Sequence, residues 1–522
     1  MSSRPRVLVR ESIAPRGVQL LRERFDVDED GDFELSERLG DYDAIVIRSA
    51  TKLDAGLIDA AERLKVIGRA GVGVDNVDVP AATRRGIVVV NAPESTVISA
   101  AEHTVGLLVA LARNIPQAHA ALKQGRWERS KWGGTELAEK TLGVVGLGRI
   151  GQQVGRRALG LGMRVVAYDP FVAPGRFGEL GVERAATPGD VYAVADFVTF
   201  HLPLTDETRG SVDTAAFAAM RDGVRIVNAA RGDLIDEPAL IAALESGKVA
   251  GAAIDVFVQE PYSGPLLELD NVVVTPHLAA STAEAQDRAG VVVAEQVADA
   301  LEGRMVANAV NIPAISPEEA DALAPFVPLA AQLARLAFEL AGEPGRIELT
   351  YHGGLAERDT RLLTVSALNG AFQGRVDRQV NWVNAPLVAA ELGVEVSEER
   401  RRTSHDFTNL IGVTVGDAAV EGTTIGTDGR RWLVTALGFG IEMELSPLMV
   451  FFRYDDVPGV IGRVGTLFGD AGVNIANMAV SRTRRGGKAL MALSIDSAAP
   501  KELQERLRAE GFDDARFIEL GE

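Results

Sequence analysis

Three charged residues of this sequence can share one piece of chemistry. Arg231 follows the apolar run VRIVNAA, Glu260 stands a short step beyond GAAIDVF, and His277 follows VVVT and Pro276. Removing hydride from a 2-hydroxy acid needs these side-chain types. A guanidinium grips the carboxylate in bidentate fashion and polarises the C2 oxygen without losing its own proton. An imidazole accepts the hydroxyl proton as hydride departs. A carboxylate beside that imidazole favours its charged form and fixes its tautomer. Each residue also has a plainer reading: a solvated arginine, a Glu-Pro turn, a core histidine. Their joint position at the ends of strand-like runs is what argues for a site. His201, after FVTF, is the competing base. His103 and His119 fall on helical stretches, and His352 and His405 lie beyond this region. No spacing suggests a metal site, and cysteine is absent.

A dinucleotide motif stands upstream of these residues. The run LGVVG leads into Gly146-Leu147-Gly148-Arg149-Ile150-Gly151, which opens the helical stretch RIGQQVGRRALGLG. Gly146 permits the tight turn, Gly148 lets backbone approach a pyrophosphate, and Gly151 allows close helix–strand packing. Free N–H groups at the helix start suit phosphate. The next run, RVVAYD, ends at Asp169, 18 residues past Gly151. A carboxylate there accepts from a ribose 2′-hydroxyl and repels a 2′-phosphate, so NAD is expected rather than NADP.

The elements that must position these groups alternate between strand-like and helical patterns. RVLVR, DAIVIRS, LKVIGRAG and GIVVVNAP are the strand candidates of the first hundred residues. A long small-residue helix follows Ser95 and runs to Arg113. LGVVG, RVVAYD, FVTFHL, VRIVNAA, GAAIDVF and VVVTP then form a stricter series. Short, apolar strands of this kind belong to parallel sheets buried on both faces, with ligands at their carboxyl ends. A helix from about Ser281 to Leu301 returns the chain to its first lobe, and Met305–Ala320 reads as a linker. A mixed region follows, with a glycine turn at Gly353–Gly354 and a hairpin around Thr427–Gly429. The final segment reads β-α-β-β-α-β, the order of a ferredoxin-like fold.

The expected fold is therefore α/β: two Rossmann-like domains, then a mixed α/β intervening domain and a ferredoxin-like domain. The expected boundaries are 1–96 with 283–312 for a discontinuous substrate-binding domain and 97–282 for the dinucleotide domain. Residues 313–446 form the intervening domain and 447–522 the last one. A chain of 522 residues is too long for one core. Its formal net charge of −19 argues against nucleic acid and against anionic membranes as partners. No secretory core or membrane span is legible, so a cytoplasmic location is expected.

These motifs carry a family resemblance. GLGRIG with Asp169, VNAARG, IDVFVQEP, TPHLAAST, IRSATKL and GRAGVGVDNVD occur in order over about Val7–Ala309 and resemble the D-2-hydroxyacid dehydrogenase family. The resemblance implies an active site in an interdomain cleft. Arg231 would hold the substrate carboxylate, and His277 would move the proton with Glu260 as its partner. Cofactor contacts are implied at Arg149, Ile150, Asp169, Ala229, Ala230, Arg231 and Asp255, besides the motif glycines and His277. It also places Arg48, Ser49, Gly73 and Val74 on the substrate side. A phosphorylated substrate would need extra cations, and by position alone Arg69, at a strand end of the first lobe, and Arg129 and Lys131 of WERSKW are candidates, with solvated surface charge as the plainer reading.

The C-terminal YDDVPGVIGRVGTLFGDAGVNIANM resembles an ACT domain, a small amino-acid-binding fold. Tyr454, Asp456 and Asn474 are its candidate ligands: an acid suits an ammonium group, and a helix start suits a carboxylate. Together with the intervening region, the resemblance implies 3-phosphoglycerate as substrate, L-serine as effector and a homotetramer. Glycerate or 2-hydroxyglutarate as substrate, or a non-catalytic amino-acid sensor, are the alternatives left open.

Overall fold

The computed structural model describes residues 4–29, 33–304, 306–313, 317–342, 345–403, 406–512 and 514–521. Met305 and His405 lie outside the described residues.

Two parallel sheets build the first three hundred residues. The first has five strands in the order Asp26–Glu29, Arg6–Val9, Ala44–Ile47, Val66–Arg69, Val88–Asn91. The last four are the expected ones. Asp26–Glu29 has no apolar signature and was not foreseen: it is an exposed, acidic edge strand. Pairing with Arg6–Val9 defines it, helped by hydrogen bonds from Arg6 and Tyr42 to Asp28. The second sheet has seven parallel strands, ordered Val272–Val274, Val249–Ile254, Val224–Asn228, Phe197–Phe200, Thr141–Val145, Arg164–Tyr168, Glu183–Arg184. Strand order reverses between Thr141–Val145 and Phe197–Phe200, the crevice where such sheets bind ligands.

Two helices cross between these sheets. Val97–Arg113 buries Leu107, Leu108 and Leu111 in the core of the second sheet. Ala283–Leu301 returns to the first sheet, where Val293, Ala294 and Val297 join the core beside Val7, Val46 and Val66. The stretch expected to be a linker is not loose at its start. Ala309 bridges Val90, Val310 N donates to Val89 O at 2.7 Å, and the Asn311 side chain bonds Thr83, Ile87 and Val89. A short helix, Pro317–Leu323, begins within its second half.

The intervening region is a six-stranded sheet backed by Phe326–Ala341 and Arg361–Phe372. The chain then closes in a four-stranded antiparallel sheet, ordered Ile475–Arg482, Lys488–Ile495, Leu448–Asp455, Arg516–Glu519. One face carries Val450, Phe452 and Met491 into a core shared with its own helices. The other carries Met449, Phe451, Leu490, Ala492 and Ile518 into the core of the intervening region. Alternation along each strand puts successive side chains on opposite faces, so both faces are buried. No helix among the described residues is long and apolar enough to cross a membrane.

Candidate active site

The glycine motif follows Thr141–Val145 and opens the helix Arg149–Gly160. Gly146 has φ +95°, and a Cβ there would collide with the carbonyl oxygen of His201. A Cβ on Gly151 would collide with the carbonyl oxygen of Gly146. Gly148 faces open space, with no atom within 4 Å of where a Cβ would stand. The turn is thus closed on two sides and open where a pyrophosphate needs room. Asp169 accepts from Leu147 N at 2.8 Å and Phe171 N at 2.9 Å, one bond to each oxygen. Each oxygen keeps capacity for a ribose hydroxyl. Arg149 leans over to Glu94 at 3.1 Å, and Ile150 packs at the edge of the core. These residues fit NAD.

His277 lies at the end of Val272–Val274 with φ +54°, a backbone conformation uncommon for a residue other than glycine. Its Nδ1 meets both oxygens of Glu260, at 2.9 and 3.1 Å. Nδ1 is therefore engaged, and Nε2 is the nitrogen left to exchange a proton. Glu260 also accepts from Phe257 N at 3.1 Å.

Behind His277 stands Asp255, which is completely buried. Its carboxylate accepts from Thr275 Oγ1 (2.5 Å), Leu278 N (2.8 Å), Ala279 N (3.0 Å) and His103 Nε2 (3.2 Å). Burial pushes its pKa up, but the bonds from His103, Thr275, Leu278 and Ala279 outweigh that and hold it below the usual carboxylate range. Asp255 was expected to touch the cofactor. In the structure its carboxylate bonds go to protein and clamp the His277 loop. His201, the competing base, shares a hydrogen bond with Thr199 Oγ1 at 3.1 Å. Burial pushes its pKa down to about 4, so it stays neutral near pH 7.

At the end of Val224–Asn228, Asn228 is buried. It accepts from Ala230 N at 3.1 Å and donates to Arg231 O at 2.9 Å, shaping Ala229–Arg231. Arg231 Nη1 donates to Ala230 O at 2.7 Å, and its Nε meets Asp75 of the first lobe at 3.2 Å. A Cβ on Gly73 would overlap Arg231 Nη2 and Asp75 Oδ2, so a larger residue there would push these two side-chain ends aside. Val74 turns its side chain into the core of the first lobe, which leaves only its backbone to a substrate.

A cleft of about 840 Å³ joins both lobes, lined by Arg48, Ser49 and Arg69 on one side and Glu260, Tyr262 and His277 on the other. Arg69 Nε is buried without a hydrogen-bond partner. Burial, and then the neighbouring Arg231 guanidinium, push the Arg69 pKa down. Such cations suit an anionic ligand. Glu11 holds the Arg48 loop by accepting from Arg48 N and Thr51 N, both at 2.9 Å, and from Ala50 N at 3.1 Å. Asn76 ties the same loop down through Arg48 O and Thr51 O. Glu11, Asp75, Asn228, Thr275 and His103 were not among the expected site residues. The partners of Glu11, Asp75, Thr275 and His103 are distant in sequence, whereas Asn228 bonds within its own turn, and only the positions of GVGVDN and VNAARG hinted at Asp75 and Asn228.

In the C-terminal sheet, Asp456 pairs with Arg482 at 2.9 Å and accepts from Gly486 N at 3.2 Å. Arg482 and Gly486 hold its carboxyl below the usual range. Asn474 precedes the strand rather than lying on it, and donates to Asp496 at 2.6 Å. Tyr454 does not join them as an open ligand. It is buried, its ring turned toward Phe452 and Phe512 in the local core.

The parallel sheets, the glycine turn and the charged cleft define an NAD-dependent dehydrogenase. Residues 105–279 match the D-isomer specific 2-hydroxyacid dehydrogenase NAD binding domain. Residues 322–432 match the D-3-phosphoglycerate dehydrogenase intervening domain, and 448–512 the ACT domain. D-3-phosphoglycerate dehydrogenase of Archaeoglobus fulgidus is 44% identical over 93% of this chain and 94% of its own. That of Mycobacterium bovis is 43% identical over 97% of each. The chain belongs to the D-3-phosphoglycerate dehydrogenase family. Among solved structures, a glyoxylate reductase from Paecilomyes thermophila covers 61% of this chain and all of its own. Its TM-score is 0.55 at 31% identity. An NADPH-dependent glyoxylate/hydroxypyruvate reductase from Sinorhizobium meliloti covers 59% of this chain and 97% of its own, with a TM-score of 0.54 at 31% identity.

Proposed function

We propose that this enzyme oxidises 3-phospho-D-glycerate to 3-phosphooxypyruvate with NAD, the first step of L-serine biosynthesis, and that L-serine restrains it through the ACT domain. One observation carries the reading: the His277–Glu260 pair shares a cleft with Arg48 and Arg69. The substrate lobe is residues 1–96 and 283–312, the NAD domain 97–282, the intervening domain 313–446 and the ACT domain 447–522. The working form is a cytoplasmic homotetramer.

Arg231 grips the substrate carboxylate and polarises the C2 oxygen. Arg48, with Ser49 beside it, and Arg69 take the phosphate, supported by the backbone of Gly73 and Val74. His277 Nε2 removes the C2 hydroxyl proton, and Glu260 stabilises the imidazolium through Nδ1. Gly146, Gly148 and Gly151 admit the pyrophosphate, with Arg149 and Ile150 at the helix start, and Asp169 takes the adenosine ribose. NAD, held by these residues, would supply the hydride acceptor for C2. Ala229 and Ala230 shape the wall beside the nicotinamide ring, and Asp255 fixes the loop that carries His277.

At the ACT domain, Asp456 and Asn474 are the residues proposed to meet serine, exchanging Arg482 and Asp496 for the ligand's ammonium and carboxylate. The test is NADH formation from 3-phosphoglycerate with and without L-serine, repeated with Asn474→Ala. Turnover with 3-phosphoglycerate, serine inhibition, and loss of inhibition at unchanged kcat in the variant are expected. Preference for glycerate or 2-hydroxyglutarate over 3-phosphoglycerate would overturn the substrate. Inhibition intact in Asn474→Ala would overturn the effector site.

A further inference from the structure

The turn that joins the first lobe to the NAD-binding domain presents one carboxylate to the glycine motif. It follows strand Val88–Asn91 and leads into helix Val97–Arg113. Both of its sides are tied down. Asn91 Nδ2 donates to Val72 O at 2.5 Å, and Ala92 N to Gly71 O at 2.9 Å. From helix Ala283–Leu301, Arg288 donates twice to Ser95 O, at 2.9 and 3.1 Å. Ala92, Ser95 and Thr96 are buried, and Glu94 is the charged group that this turn sends outward.

Glu94 Oε1 meets Arg149 Nη2 at 3.1 Å. Arg149 is the first residue of helix Arg149–Gly160, directly after Gly148, where the turn is open for a pyrophosphate. Neither side chain has another partner among the described residues. Their side chains are 73% and 63% exposed, so the pair is weak and Arg149 can turn to a stronger anion. A pyrophosphate is such an anion, because a guanidinium bonds phosphate oxygens in bidentate fashion. The carboxylate left behind is carried by a clamped turn, and the phosphate charges repel it. A second pair offers a comparison: Glu102 and Arg157, each eight residues further on, stand 3.3 Å apart. It has the same charges and joins the same two helices, but lies roughly 12 Å further along helix Arg149–Gly160.

We infer that Glu94 competes with the pyrophosphate of the dinucleotide for Arg149, and thereby limits how tightly and how long the enzyme holds NADH. Glu94 is a positioning residue: it acts through Arg149 and touches no reacting atom. A carboxylate at the edge of the first lobe thus weakens a cofactor bound by the other lobe. Looser binding speeds the release of NADH, a step that sets turnover in many enzymes. The inference rests on the pyrophosphate lying at the glycine turn.

The experiment follows NADH fluorescence on the full-length enzyme, at equilibrium and in stopped-flow dissociation. It compares the native chain with Glu94→Gln, Glu102→Gln, Arg149→Gln and the Glu94→Gln/Arg149→Gln double variant. In Glu94→Gln the Kd for NADH is expected to fall about threefold or more at low salt, through slower dissociation. That gain should shrink below about twofold in about 0.5 M KCl, and likewise when Arg149→Gln is already present. Glu102→Gln should bind as the native chain does. Gly148→Val, with native thermal melting, tests the footing and should abolish binding. Absence of NADH binding in the native chain, or binding that survives Gly148→Val, would overturn the placement of the pyrophosphate and the inference with it. Binding abolished by Gly148→Val, with the Kd of Glu94→Gln within about 1.5-fold of native, would overturn the competition alone. An equal gain in Glu102→Gln, or one undiminished by Arg149→Gln, would also overturn it, since net charge would then be the cause.

Discussion

Replacing Asp255 by asparagine tests whether the buried clamp behind His277 governs both stability and catalysis. In the native chain Oδ1 serves Thr275, Leu278 and His103, and Oδ2 serves Ala279 N. An amide keeps one acceptor oxygen and turns an N–H₂ toward a donor. One buried N–H is left unsatisfied, which costs about 1–3 kcal/mol, and the remaining bonds lose their charged acceptor. About 2–3 kcal/mol is the expected total. For a domain the size of the NAD-binding unit, that is a fall of roughly 4–12 °C in Tm. His277 N donates to Asp255 O at 2.8 Å, so the same loop carries the imidazole. A shift of about 1 Å there lowers kcat by roughly 10²-fold. The pH dependence has a definite sign. The folded pKa of Asp255 is depressed, so its contribution is present above the unfolded carboxylate value and lost as pH falls through the folded one. The gap in Tm between native and variant chains should therefore narrow below about pH 4. Calorimetry across pH and steady-state kinetics with NAD are the assays. A Tm within about 1 °C of native and an unchanged kcat would refute the clamp.

Further outcomes follow from the same geometry. His277→Ala should lower kcat at least about 10²-fold with little change in melting, read by NADH absorbance; near-native kcat would discredit the base. Gly73→Ala should displace the Arg231 guanidinium and raise KM for the acid substrate about tenfold or more, with NAD binding by calorimetry untouched; an unmoved KM would contradict the close approach. Asp169→Ser should weaken NAD and narrow the preference over NADP, measured as a ratio of kcat/KM values; an unchanged ratio would remove the ribose role of Asp169. Deleting the chain after Pro447 is not a clean test of the ACT domain. It would uncover the intervening core that Met449, Phe451 and Ile518 complete, so aggregation or a lower Tm is expected from that truncation.

The sequence by itself determined most of the strand series and the chemistry at its ends. Apolar runs followed by GLGRIG, Asp169, Arg231, Glu260 and His277 are local patterns, and local patterns survive in one dimension. Elements defined by their partners were not legible. Asp26–Glu29 is a strand only because Arg6–Val9 lies beside it, and the supposed linker is laced to the first sheet through Asn311. The same holds within the site. Glu11 reaches a loop 37 residues away, Asp75 meets an arginine from the other lobe, and Asp255 gathers donors from His103 to Ala279. Hydrogen bonds and ion pairs act over a few ångströms of space, with no regard for separation along the chain. Residue type and spacing therefore announce which chemistry is carried, while folding alone decides which groups hold it in place and which cavities open between lobes.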